Sequence, residues 1–264
     1  MKLPLYQLDA FTQRLFGGNP AAVVLLEDWL PDGMLAAIAA ENNLAETAFV
    51  IPRADASPLR WFTPTVEIDL CGHATLAAAD VLFRYRFPSL ARLAFSTRSG
   101  ELAVTRDGAL LKMDFPARPG KPVAVTDALA AALGARPREA YMARDLLAIF
   151  DSESDVRSLR PDFARIAALD VFAVIVSAPG DAVDFVSRFF APGAGIPEDP
   201  VTGSSHCTLV PYWAARLGKD KLTAQQLSAR GGDLLCELRA DRVVIAGHVV
   251  EYLRGEIETE GPAI

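Results

Sequence analysis

The sequence predicts an α+β fold built of two similar halves, and three observations carry this prediction. Segments with strand character and a few helical segments follow one another irregularly, unlike the regular strand–helix repeat of a parallel α/β protein. Two distant segments share the same order of residues, and each leads into an apolar helix. The segment HATLAAADVLFRY is rich in alanine and apolar on all sides, so it is expected to be a buried helix.

The composition indicates a folded protein of one large domain or two of ordinary size. The chain has 264 residues, of which 51% are hydrophobic and 22% charged. The formal net charge is -7 and no dense Lys/Arg cluster occurs, so nucleic acid is not an expected partner. The sequence has no run of 18 apolar residues and no signal pattern at its start, which predicts no membrane association and a cytoplasmic location. Three widely spaced cysteines, Cys71, Cys207 and Cys236, form neither a disulfide framework nor a zinc motif.

The elements of the first half follow from local patterns. LPLYQLDAF and AAVVLL have strand character, and GGNP separates them. A helix is predicted through GMLAAIAAENN with Asp32 as its cap, followed by the strands TAFVI and LRWFTP. After the buried helix, three more strands are predicted, with turns at Ser99-Gly100 and Asp107-Gly108.

The second half contains strands and helices like those of the first half, but their lengths differ. TDALAAALG predicts a helix capped by Thr126 or Asp127, and LLAIFD and VFAVIVSAP predict strands on either side of a helix near 161–168. The tail GGDLLCELRADRVVIAGHVVEYLRGEIE alternates between apolar and polar residues and predicts further strands.

The segment ARPGKPV is the best candidate for a boundary between the halves, because it holds two prolines and a glycine. We therefore expect an N-terminal half at 1–117 and a C-terminal half at 118–250. The segment 251–264 is a candidate strand of the N-terminal half.

An internal repeat supports two similar halves. FTPTVEIDLCGHATLAAADVLFRY and FAPGAGIPEDPVTGSSHCTLVPYWAARLG both begin with Phe-x-Pro, at Phe62 and Phe190. Both reach His-x-Thr-Leu, at His73 and His206, and continue into an apolar helix. Each helix is thus expected to start at a polar turn, near Gly72 and near Gly203, where unpaired N–H groups and the helix dipole favour an anion. Two such starts facing one cleft would hold a carboxylate without an arginine.

Glu46 and His73 are the candidates for proton transfer. Glu46 stands at the start of an apolar strand in NLAETAFVI. A solvated strand-edge carboxylate is the simpler interpretation, but apolar surroundings raise the pKa of a carboxylate and suit it to act as a general base and then as an acid. His73 follows Gly72 at the first helix start, where it is either a structural histidine or a catalytic one.

Further candidates lie in the polar turns. Asp199 and Ser204, beside Gly203, lie at the start of the second helix, where ordinary helix capping is the plainer role. Cys71 flanks the first turn, and a buried apolar cysteine is its plainer role. Asn19 in GGNPAAV is either a turn residue or part of the site.

These stretches resemble the PhzF-like phenazine-biosynthesis family. The resemblance rests on QLDAFTQRLFGGNPAAVVLL, NNLAETAFV, WFTPTVEIDLCGHATLAA, EDPVTGSSHCTLVPYWAARLG and LSARGGDLLCEL, which occur in order over nearly the whole chain. It implies a diaminopimelate epimerase-like fold, in which each half is a sheet or barrel-like roll around a central helix and the active site lies between the halves. A homodimer is also implied.

The resemblance further implies an isomerase that uses no cofactor and no metal. The phenazine enzyme isomerises trans-2,3-dihydro-3-hydroxyanthranilate, and the motif positions carry its proton shuttle over to Glu46, with His73 and Asp199 as further catalytic residues. Substrate binding carries over to Gly72, Gly203 and Ser204, and we add Asn19. The chain has LCGHAT where AGHP is expected in the phenazine enzyme, so the substrate is expected to be a small carboxylate whose identity the motifs do not give.

Two other functions remain open from the sequence. A two-base amino-acid racemase or epimerase would use Cys71 as one base, but the second helix start offers Ser204, which is a weak base without activation. A binding or interaction protein on the same scaffold would have no use for the complete set of Glu46, His73, Asp199 and Ser204.

Overall fold

Two compact units make up the chain, for which a computed structural model describes residues 1–260. The first unit consists of Met1–Asp114 and the described segment from Ala246 onward, and the second is Phe115–Ile245. The sequence placed these boundaries at 117/118 and 250/251. In the structure they fall inside strands, because strand pairing and not the proline-rich stretch determines which residues belong together. The last four residues of the predicted strand 251–264 lie outside the described part.

The strands of the described chain follow in order. They are β1 (Lys2–Ala10), β2 (Asn19–Leu25), β3 (Glu46–Val50), β4 (Ser57–Phe62), β5 (Glu67–Ile68), β6 (Arg92–Thr97), β7 (Gly100–Asp107), β8 (Leu110–Pro116), β9 (Lys121–Val123), β10 (Glu139–Met142), β11 (Leu146–Ile149), β12 (Val174–Pro179), β13 (Phe185–Phe190), β14 (Lys221–Gln226), β15 (Gly232–Arg239), β16 (Arg242–Gly247) and β17 (Val249–Glu258).

The α-helices are fewer and vary in length. They are α1 (Asp32–Asn42), α2 (Gly72–Tyr85), α3 (Asp127–Leu133), α4 (Glu153–Ser158), α5 (Phe163–Ala167) and α6 (His206–Leu217). The 3₁₀ turn Gly203–Ser205 runs directly into α6, and another 3₁₀ turn lies at Pro192–Ala194. Asp32 is the first residue of α1 and not its cap, since Pro31 holds the cap position. Among the described residues, none of the helices combines the length and the apolar character needed to span a bilayer.

Strand pairing repeats from one unit to the other. In the first unit β1–β2 is antiparallel, β2–β3 parallel, β3–β4 antiparallel, β4–β6 parallel and β6–β7 antiparallel. In the second unit the series β10–β11, β11–β12, β12–β13, β13–β14 and β14–β15 has the same order of directions. The fold prediction of two similar α+β halves is confirmed.

Helices occupy the crossovers that each parallel pair requires. In the first unit α1 connects β2 to β3, and α2 lies in the connection from β4 to β6. In the second unit α4 and α5 connect β11 to β12, and α6 lies between β13 and β14. The two segments that the sequence repeat identified, α2 and α6, therefore hold the same place in the topology of their units.

The sheet of the first unit has a helix on each face. Phe49 of β3 packs with Leu35 of α1 in one apolar cluster. Because side chains alternate along a strand, Glu46 and Ala48 point to the opposite face, where α2 packs against β1, β2 and β3. Ten of the 14 residues of α2 are buried, as its composition predicts. A buried leucine or phenylalanine side chain contributes about 1.5–3 kcal/mol, so this face holds α2 firmly against the strands.

Candidate active site

The first unit brings Asn19, Glu46 and His73 together. Asn19 and Glu46 are the first residues of the adjacent parallel strands β2 and β3, and Ala21 pairs with Glu46. Since Asn19 is two residues from Ala21, both polar side chains belong to the face that α2 covers. His73 is the second residue of α2. Sequence segments that are 27 and 54 residues from Asn19 thus meet at one end of the sheet.

Gly18 places Asn19 at the start of β2. Its φ of +62° lies in the left-handed region, and a Cβ there would stand 2.1 Å from the carbonyl oxygen of Ala10. Only glycine fits both conditions. The GGNP motif is therefore needed for this close turn between β1 and β2, and the turn sets Asn19 at the strand start.

The segment before Glu46 ends α1 and starts β3 within three residues. Asn43 adopts the left-handed conformation at the end of α1, with φ of 48°, and its N–H donates to the carbonyl of Ala39. The Asn42 side chain donates to Thr47 Oγ1 at 3.1 Å. Both contacts explain why NNLAET positions Glu46 at the first residue of the strand, with only 6% of it exposed.

The start of α2 is held by local backbone contacts. Cys71 precedes the helix in an extended conformation and caps it with no side-chain hydrogen bond. Its carbonyl accepts from the Thr75 N–H at 3.2 Å and from the Thr75 hydroxyl at 2.5 Å. The N–H groups of Gly72 and His73 have no helical carbonyl four residues before them, as at any helix start. The sequence analysis expects an anion at these donors, and this expectation stays a prediction.

The side chains make a compact buried cluster. Glu46 Oε2 lies 2.8 Å from His73 Nε2, and Asn19 Nδ2 lies 3.2 Å from His73 Nδ1. Cys71 Sγ is 3.5 Å from the same Nδ1. His73 is 5% exposed and Asn19 is fully buried. A carboxylate and an imidazole in contact, out of water and beside a helix start, can accept and return a proton.

Charge and burial shift the ionisation of this cluster. Burial of the His73 ring acts to lower its pKa, but the neighbouring Cys71 sulfur and Glu46 carboxylate outweigh burial, so the pKa of His73 lies well above its usual value. Burial, aided by the charge of Glu46, raises the pKa of the Cys71 thiol to about 11. At neutral pH the cluster thus favours a thiol at Cys71.

Asp199 lies in the second unit, in a hydrogen-bonded turn before α6. Its carboxylate accepts from the Thr202 hydroxyl, and its N–H donates to the carbonyl of Phe189 at 3.0 Å. Gln226, at the end of β14, donates to the Asp199 carbonyl at 2.8 Å and accepts from the Thr202 N–H at 2.8 Å. Sequence analysis did not identify Gln226, because it lies 24 residues beyond Thr202 in a strand without a polar motif. Thr202 stands inside the motif and was missed as a partner of Asp199.

Gly203 and Ser204 form the turn that precedes α6. Gly203 is buried and Ser204 half-buried. The helix itself begins at His206, three residues after the predicted start, because this turn is a 3₁₀ turn. The His206 ring donates from Nδ1 to the Thr202 carbonyl at 2.9 Å, and burial lowers its pKa to about 4, so it is a neutral structural histidine at pH 7.

The sequence of the chain matches known proteins over almost its full length. Residues 8–255 match the PhzC-PhzF family, described as phenazine biosynthesis-like protein. A protein of Pseudomonas aeruginosa that is named as an uncharacterized isomerase is 53% identical over 258 residues, which cover 97% of this chain and 99% of that protein. The human phenazine biosynthesis-like domain-containing protein is 40% identical over 286 residues, with 97% of this chain and 99% of that protein covered.

Solved structures show the same fold. The crystal structure of a PhzF family protein from Enterococcus faecalis superposes with a TM-score of 0.96 at 47% identity and covers 98% of this chain and 100% of that one. A probable proline racemase from Agrobacterium radiobacter superposes with a TM-score of 0.64 at 11% identity, covering 98% of this chain and 93% of that one, which extends the likeness of fold alone to racemases. The chain belongs to the PhzC-PhzF family of phenazine biosynthesis-like proteins.

Proposed function

We propose that the protein is a cofactor-independent isomerase that moves a proton between two carbons of a small carboxylate-bearing metabolite. The observation that carries this proposal is the contact of 2.8 Å between the buried carboxylate of Glu46 and the imidazole of His73 at the start of α2. The names of close relatives as isomerases support the reaction class.

Glu46 does the proton transfer in this mechanism. Its carboxylate takes a proton from a carbon of the substrate, and the electron pair of the broken C–H bond delocalises into the adjoining unsaturated system. The resulting carboxylic acid then returns a proton to a different carbon and is a carboxylate again. A positioned base of this kind typically contributes roughly 10²–10⁴-fold to the rate.

The remaining residues bind and orient the substrate. The N–H groups of Gly72 and His73 at the start of α2 are suited to hold its carboxylate. The His73 ring contacts the Glu46 carboxylate at 2.8 Å and orients it toward the substrate. In the second unit, we assign Asp199 to orientation and protonation, and Gly203 and Ser204 to binding of the polar part of the substrate.

A two-base racemase mechanism through Cys71 is less well supported. Such a mechanism needs a thiolate, and burial raises the pKa of the Cys71 thiol to about 11. The sulfur does contact His73 Nδ1 at 3.5 Å, so thiol alkylation is an informative check. Loss of deuterium exchange after alkylation of Cys71 alone would favour the racemase, and unchanged exchange would remove it.

The test of the proposed function is deuterium uptake from heavy water. The protein is incubated in D₂O with trans-2,3-dihydro-3-hydroxyanthranilate and with a panel of small unsaturated carboxylates and amino acids. NMR and mass spectrometry follow the label. We expect enzyme-dependent deuterium at one carbon together with a shifted double bond in the product. A specific carboxylate that binds tightly and gains no deuterium would instead indicate a binding protein on this scaffold.

A further inference from the structure

Glu46, Cys71 and His73 offer three different donor atoms within one small volume. One ligand atom from each residue lies within 4.8 Å of the other two. The residues come from two separate segments, the start of β3 and the start of α2. For this reason the sequence contains no metal-binding motif of fixed spacing that includes all three. Thiolate, imidazole and carboxylate together are the donors that Zn²⁺ and Co²⁺ prefer.

The distances between these donors are near those of a metal site. Tetrahedral zinc with metal–ligand bonds of ~2.0–2.3 Å holds its donor atoms roughly 3.3–3.6 Å apart. Cys71 Sγ lies 4.0 Å from Nε2 of His73, the ring nitrogen that faces Glu46, so a shift of ~0.5 Å would bring the sulfur within this range. Glu46 Oε2 lies 2.8 Å from Nε2, and a shift of ~0.5 Å would open this contact to a tetrahedral edge.

A second observation points to a ligand between these groups. Glu46 Oε2 is buried, and among the described residues it has no hydrogen bond, although His73 Nε2 is so near. A cation placed between the three donors would satisfy Oε2 in a way that the present contact does not.

We propose that Glu46, Cys71 and His73 bind one divalent transition-metal ion of the zinc class, with three protein ligands and one open position. Binding forms one sulfur–metal and one nitrogen–metal bond, and the thiol proton and the proton of the coordinating His73 nitrogen both leave to solvent. The two negative ligands then balance the charge of the ion, while the positive end of α2 favours the thiolate. The side chains of Glu46 and His73 are 8% and 6% exposed, so the ion would be held in a largely dry site.

The consequence for activity rests on the proposed function. A carboxylate that coordinates a metal ion cannot accept a proton from carbon, so micromolar zinc would inhibit proton transfer and a chelator would restore it. Binding itself is independent of that function, and it is measured without any substrate.

Cobalt titration of the full-length protein tests the site, because a cobalt–thiolate bond gives a near-ultraviolet charge-transfer band. The titration is done in an inert atmosphere with a phosphine reductant. We expect one Co²⁺ per chain, the thiolate band, and displacement of the band by Zn²⁺. Cys71→Ser should lose the band, whereas the matched variants Cys207→Ser and Cys236→Ser should keep it. Glu46→Gln should keep the band at saturation and need at least about tenfold more cobalt.

Three results would overturn the proposal. Wild-type protein without a thiolate band, a band that survives in Cys71→Ser, or a band that depends on Cys207 or Cys236 would each place the metal elsewhere or nowhere. The test on the wild-type protein needs no variant, so the proposal can still be overturned if Cys71→Ser does not fold. Loss of deuterium exchange on every substrate, with the band intact, would contradict the proposed function and leave the metal site standing.

Discussion

At the scale of single residues, the chemistry depends on one buried pair, Glu46 and His73. Both side chains are buried, so water does little to stabilise a charge on either of them. Their closest polar contact is the one of 2.8 Å with each other. Burial of an ion pair is weak evidence for stability, but removal of one partner leaves an uncompensated charge in the interior. The pair is thus coupled, and this coupling can be measured without a substrate.

A double-mutant cycle on this pair should show strong coupling. His73→Gln alone should lower the free energy of unfolding by about 3–5 kcal/mol, because the Glu46 carboxylate loses its cation. The double variant Glu46→Gln/His73→Gln should cost clearly less than the sum of the single variants. Urea unfolding of the four proteins measures both quantities. Additivity within about 0.5 kcal/mol would show that the two groups do not interact.

His206 should make the protein sensitive to acid. Burial lowers its folded pKa to about 4, from 6.5, so the unfolded chain takes up its proton first as the pH falls. Stability from the neutral ring is present above pH 6.5 and is lost between 6.5 and 4, in total roughly 3 kcal/mol.

The variant His206→Asn checks this account of the acid limb. The asparagine amide can still donate to the Thr202 carbonyl, and it does not titrate. The free energy of unfolding is measured in urea from pH 8 to pH 4 for wild type, His206→Asn and the half-buried control His248→Asn. The difference between wild type and His206→Asn should shrink or reverse toward pH 4. A difference that stays constant over this range would contradict the assignment.

At the scale of elements, local sequence patterns were informative wherever a pattern has a short-range cause. The apolar HATLAAADVLFRY segment becomes α2, and its polar start was expected because the unpaired N–H groups at a helix start need polar acceptors. The start of α6 was predicted too early. Residues Gly203–Ser205 form a 3₁₀ turn, and the sequence pattern does not distinguish such a turn from the first turn of an α-helix. Gln226 was not predictable, because its partners are distant in sequence.

Gly18 should be the most demanding glycine of the first unit. Gly18→Ala combines a φ of +62° with a Cβ that would stand 2.1 Å from the Ala10 carbonyl oxygen, so it should cost more than about 2 kcal/mol. The matched control is Gly33→Ala in α1, where a Cβ meets no atom within 4 Å. It should be neutral or stabilise by about 0.5–1 kcal/mol. Equal unfolding midpoints in urea for the two variants would contradict this account of the GGNP turn.

At the scale of the whole molecule, the short Phe-x-Pro and His-x-Thr-Leu repeat predicted two similar halves, and the strand directions of the two units agree with it. The order of strand pairing itself was beyond the sequence. Pairs such as Ala21 with Glu46, or Ser57 with Phe95, join residues that are far apart in sequence. Long-range packing determines such pairs, and no local sequence pattern indicates them. The sequence motifs identified Glu46 and His73 as candidates for one site. Their contact of 2.8 Å could be seen only in the folded structure.

The central claim is that Glu46 alone carries the proton, and one measurement tests it most directly. On a substrate identified by deuterium uptake, the exchange rate of Glu46→Gln is compared with that of wild type and of Glu41→Gln, an exposed glutamate of α1. The account predicts a loss of at least roughly 10²-fold for Glu46→Gln with substrate binding retained, and an unchanged rate for Glu41→Gln. Full exchange by a folded Glu46→Gln protein would contradict it.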